Sequence, residues 1–174
     1  NKIDSNICHV FKQYSNNKII AEKKFESNDS FNIGQILLLA DIDNDCIPEI
    51  ILEDNEYEKL LFLDSRNGSI KRKMDKPSVL NYFGQIAIAD LDGNGEVEII
   101  MLASNSGTNP NAFFGRLFCY RLDGSQVWMS DKRADLYKQI KDMPRGAIGF
   151  ADFNQDGRPE VYVNNKVFNG QTGV

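Results

Sequence analysis

Asp41, Asp43, Asp45 and Glu49 stand at positions 1, 3, 5 and 9 of a nine-residue segment. The pattern recurs as Asp90, Asp92, Asn94 and Glu98, and again as Asp152, Asn154, Asp156 and Glu160. Oxygen-bearing side chains at alternate positions of a tight loop are what a hard divalent cation requires. Ca²⁺ gathers roughly six to eight oxygens at about 2.3–2.6 Å, one of them the main-chain carbonyl at position 7. Ile47, Glu96 and Arg158 would supply that carbonyl. The sharp turn such a loop needs predicts a positive φ at position 6, where Gly95 and Gly157 stand in two loops and Cys46 departs from the pattern in the first.

A helix-loop-helix calcium sensor opens with the same residues but closes on a bidentate Glu at position 12. The residues there are Leu52, Met101 and Val163, all apolar, which excludes that motif. Asp and Asn also populate ordinary turns by bonding their own backbone. Three occurrences in one setting argue against that simpler account. Each loop follows an apolar run ending in Ala (36–40, 86–89 and 148–151) and precedes another (50–52, 99–102 and 161–163), so the frame reads strand, acidic loop, strand.

The chain of 174 residues is 41% apolar and 26% charged, ordinary for a soluble protein able to form a real core. No apolar run approaches the ~18 residues of a membrane span. The chain starts at Asn1 with neither Met nor a leader pattern, which implies a processed or excised product. Its net charge is −5, yet the three loops carry −10 between them; the remainder is +5, and three divalent ions would bring the whole to +1. The acidity therefore belongs to the loops, and it argues against nucleic acid as a partner. Cys8, Cys46 and Cys119 have neither zinc-motif nor disulfide-framework spacing and read as free thiols, buried or half-buried.

The loops begin 49 and then 62 residues apart, a period that suits propeller blades of four short strands. A strand running into a Gly-containing turn follows each loop, at 63–68, 122–124 and 168–173. The longer second unit accommodates a polar insertion over 104–111 and a short helix within 130–142, while Asn164-Asn165 offers a tight hairpin in the third. The predicted class is all-β, a partial β-propeller of about three four-stranded antiparallel blades with a calcium loop between the inner strands. Its segments are 1–29, the outer strands of an incomplete blade turning at 15–17; 30–78 and 79–142, a blade each; and 143–174, a partial blade.

These loops, Phe83-Gly84 ahead of the second and the Phe-Asn-Gly-Gln-Thr-Gly turn at 168–173 make residues 30–174 resemble FG-GAP or VCBS-type repeats, the calcium-binding blades of integrin α-subunit-like propellers. The family's Gly-Ala-Pro segment is absent, which points to the broader, mainly bacterial, secreted group. The resemblance implies up to three bound Ca²⁺ ions, held by the residues at positions 1, 3, 5 and 9.

The function expected is that of a calcium-stabilised propeller segment of a bacterial extracellular or cell-surface protein, serving adhesion, recognition or scaffolding. Its partners would be a protein or glycan and the remaining blades of a longer propeller. The alternative is an accessory or catalytic propeller of a polysaccharide-degrading enzyme. Against catalysis stand a single histidine, His9, in an alternating strand, and no nucleophile elbow or phosphate loop. A catalytic carboxylate pair is also needed once, not three times. Trp128, Tyr82, Phe113 and Phe114 could form a sugar-binding surface, but inter-blade packing is the simpler role for them.

Overall fold

The computed structural model describes residues 7–13, 19–26 and 31–32 as backbone, and residues 37–54, 56, 58–76, 85–103, 115–131 and 147–174 with their side chains. Every element among them is a strand, and every strand pair whose register is defined is antiparallel. The chain divides into two compact units, Asn1–Lys73 and Met74–Val174.

In the first unit β1 (Ile7–Gln13) and β2 (Ile19–Glu26) form a separate ribbon, with a register shift between Cys8 and His9. A second sheet is built on β5 (Glu49–Asp54). Its one edge carries β6 (Lys59–Asp64), which pairs from Glu49↔Asp64 to Glu53↔Leu60. Its other edge carries β4 (Leu38–Ala40) and then β3 (Phe31–Asn32), a two-residue strand too short to leave a sequence signal. The outermost strand, β7 (Ile70–Asp75), runs beside β6 and ends just past the boundary between the units. Ile50, Leu52, Leu61 and Leu63 share a face covered by Ile70, while Ile51, Leu60 and Phe62 are buried on the opposite face. The central strands are therefore apolar on both faces over 50–52 and 60–63, the pattern of strands covered on both sides.

The second unit has a sheet in simple sequence order, β8 (Ile86–Ala89), β9 (Glu98–Leu102), β10 (Leu117–Arg121) and β11 (Gln126–Met129). The three-stranded sheet of β12 (Ile148–Ala151), β13 (Glu160–Val163) and β14 (Lys166–Phe168) follows. Asn164 and Asn165 make the two-residue hairpin, Asn164 at φ 57°, so that Val163 pairs with Lys166. One apolar cluster unites Leu91, Ile100, Leu102, Leu117, Cys119 and Trp128 with Val161, Val163 and Phe168 from the three-stranded sheet. Each such side chain contributes about 1.5–3 kcal/mol when fully buried.

Trp128 is thus a core residue and not part of a sugar-binding surface. It is 6% exposed, and its indole Nε1–H donates to the Gly170 carbonyl at 2.8 Å. The turn over 168–173 is shaped to receive it. Asn169 Oδ1 accepts from the backbone of Gln171 and Thr172, and Gly173, at φ 73°, lies so close to the indole that a Cβ there would meet the ring at 2.5 Å. Tyr82, Phe83, Gly84, Phe113, Phe114, the insertion over 104–111, residues 132–142 of the expected helix and the turn at 15–17 lie outside the described residues, as do the side chains of Cys8 and His9.

Candidate metal loops

Each acidic segment connects two hydrogen-bonded neighbours, β4 to β5, β8 to β9 and β12 to β13, which fixes its ends one strand spacing apart. The three then share one scaffold. Both carboxylate oxygens of the position-1 Asp accept backbone N–H groups: Asp41 from Asp45 and Cys46 (3.2 and 2.9 Å), Asp90 from Asn94 and Gly95 (3.2 and 2.8 Å), Asp152 from Asp156 and Gly157 (3.1 and 2.9 Å). The position-5 oxygen accepts the position-7 N–H, at 2.8 Å for Asp45 to Ile47, 2.6 Å for Asn94 to Glu96 and 2.9 Å for Asp156 to Arg158. The position-9 Glu reaches back under the loop, so that Glu49, Glu98 and Glu160 accept from Ile42, Leu91 and Phe153 at 3.0, 2.9 and 2.9 Å. All three glutamates are buried.

Position 6 has positive φ in every loop: Cys46 at 65°, Gly95 at 88° and Gly157 at 86°. Cys46 therefore takes the glycine conformation, and the first loop keeps the hydrogen bonds of the other two. Position 4 is also left-handed, at Asn44, Gly93 and Gln155, which the sequence pattern did not reveal. Asn and Gly there are suggestive, but Gln is not a residue that announces such a turn.

Two of the loops gather three carboxylates each. Oxygens of Asp41, Asp43 and Glu49, and of Asp90, Asp92 and Glu98, lie within 4.8 Å of one another and could hold a metal ion. Their electrostatics differ. The Lys71 ammonium bonds Asp43 at 2.7 Å and Glu49 at 2.6 Å and lies 3.6 Å from Asp45. These bonds hold the Asp43 carboxyl below its ordinary range and raise Lys71 above its own. In the second loop no Lys or Arg among the described residues pairs with Asp90, Asp92 or Glu98. Burial pushes the Glu98 carboxyl up; the charges of Asp92 and Asp90 add to that rise, and the Leu91 N–H and the Arg121 charge oppose it. A crowded carboxylate set with one buried member is relieved by a bound cation. An all-oxygen donor set fits calcium or another hard ion rather than a thiophilic metal.

The third loop replaces one carboxylate by an amide. Asn154 Nδ2 donates to Asp156 and Glu160, both at 3.1 Å, while its Oδ1 and Asp152 both accept the Asp156 N–H. Arg158 turns aside to Gln171 at 2.9 Å and leaves the carboxylates unpaired by it. Cysteine supplies no ligand in these loops. Cys46 is exposed, contrary to the expectation of half-burial at least, and burial pushes the Cys119 thiol up to about 12, as suits a packing residue.

No helix among the described residues is long and apolar enough to cross a membrane. No protein-family model and no curated protein sequence matches the chain. Among solved structures it is similar to the V. cholerae biofilm matrix protein Bap1, with a TM-score of 0.57 and 20% identity over 97% of this chain. The likeness is one of fold, and the chain spans 26% of Bap1.

Proposed function

We propose that this chain is a calcium-stabilised propeller segment of a bacterial secreted or cell-surface protein, with a mechanical and recognition role rather than a catalytic one. The observation that carries the proposal is the second loop, where Asp90, Asp92 and the buried Glu98 converge with no salt bridge to a Lys or Arg among the described residues, Arg121 being the cross-strand neighbour of Glu98. Asp90, Asp92, Asn94 and Glu98 would hold the ion, with the Glu96 carbonyl as a further oxygen. The third loop would bind through Asp152, Asp156 and Glu160, with Asn154 turning its carbonyl oxygen inward and the Arg158 carbonyl completing the set. The Asp156 N–H keeps Asp152 as acceptor when Asn154 turns. The ion neutralises crowded carboxylates, among them the buried Glu98, and pins the connection between neighbouring strands. Similarity in fold to a biofilm matrix protein favours adhesion or scaffolding, with a glycan or protein as partner and with further blades supplied by a longer chain.

Calcium binding to the wild-type chain and to the Asp90→Asn/Asp92→Asn variant, measured by equilibrium dialysis at millimolar calcium, tests the reading. Extracellular calcium modules bind with dissociation constants of about 10⁻⁴–10⁻³ M. The variant is expected to lose one ion per chain. Equal binding by the two proteins, or none by either, rejects the second loop as a calcium site.

A further inference from the structure

The first loop has the same backbone scaffold as the second but a different electrostatic arrangement. Across the sheet, Glu49 pairs in register with Asp64, one acid directly opposite another and both buried. The corresponding partner of Glu98 is Arg121. Like charges directly opposite destabilise a strand pair, so the first sheet must find positive charge elsewhere. It comes from two sources. Arg66 forks onto Asp64 through Nε, at 2.9 and 3.1 Å, and through Nη2. Lys71, from β7, reaches into the loop and contacts Asp43, Asp45 and Glu49 together.

Among the described residues the second sheet has no counterpart to Lys71. The Asp64 N–H bonds the Ser69 carbonyl, and the Arg121 N–H bonds the Ser125 carbonyl, which aligns the two outer strands. Two residues onward the first strand has Lys71 and the second has Val127, a half-buried residue packed against the apolar cluster. In the outer strand, then, one sheet has an ammonium aimed at the acidic loop, while the other has Val127 at a register shift, beside Trp128, both packed on the apolar cluster.

We infer that Lys71 is the resident cation of the first loop: its ammonium stands where the metal would stand, so this loop is held without calcium. The ammonium bridges positions 3 and 9, two of the ligands a calcium ion would need. An ion entering would meet a fixed positive charge and would have to displace a lysine that is only one-quarter exposed. The inference concerns the first loop alone, but it rests on the reading of these loops as calcium sites.

The test compares calcium bound per chain in the wild type, in Lys71→Met, and in each with Asp43→Asn/Asp45→Asn added. The wild type is expected to bind as many ions with the two Asn substitutions as without them. Lys71→Met is expected to gain one ion per chain and to lose it again when the Asn substitutions are added. Loss of an ion from the wild type on Asp43→Asn/Asp45→Asn would overturn the inference, as would a Lys71→Met chain that gains none. A wild type that binds no calcium rejects the proposed role of the second loop, and the ion gained by Lys71→Met still decides the first.

Discussion

Cys46 adopts φ 65° in a loop whose two counterparts place glycine at that point. A side chain in the left-handed region costs about 1 kcal/mol relative to glycine, and the thiol, being exposed, returns little packing. Cys46→Gly is expected to stabilise the folded chain by about 1 kcal/mol. The denaturant midpoint should rise accordingly; a fall would mean that the thiol makes a contribution larger than the strain. At this scale the sequence was informative about the residues at positions 1, 3, 5 and 9, because one local pattern returned three times. It was silent about Lys71, which follows Glu49 by 22 positions and is brought to it only by the pairing of β5, β6 and β7. Nothing in its own neighbourhood, Ser69-Ile70-Lys71-Arg72-Lys73, distinguishes it from a solvated charge.

Strands were the most legible elements, since the apolar runs beside the acidic loops locate β5, β9 and β13 to within two residues at each end. Packing was the simpler role for Trp128 and the core holds it, but the hydrogen bond that orients it was not legible, because its partner, Gly170, lies 42 positions further along. That contact leads to a contrast between two glycines of the second unit. Gly95 and Gly173 both have positive φ, but a Cβ at Gly95 would meet nothing within 4 Å, whereas at Gly173 it would strike the Trp128 ring. Gly95→Ala is expected to cost about 1 kcal/mol from conformation alone. Gly173→Ala adds overpacking against a buried ring and is expected to cost about 2–4 kcal/mol. Urea titrations of the two variants separate these values, and equal losses would show that the turn over 168–173 yields to the ring without resistance.

The charge of the whole molecule is set by its loops, which carry −10 against a chain total of −5. Raising calcium should therefore raise the melting temperature over that in chelator, and magnesium should not substitute, since it demands a smaller octahedral shell and gives up its waters reluctantly. An unchanged melting temperature in chelator, calcium and magnesium would contradict a structural metal. The shared loop scaffold has a further consequence, in time rather than in energy. Backbone N–H groups already fix the carboxylates at positions 1 and 9 and the oxygen at position 5. If the second loop binds the proposed ion, capture would need little chain rearrangement, and its rate would be set by how quickly the ion sheds water. The loop would then favour, in the rate of capture, the cation that exchanges its waters fastest.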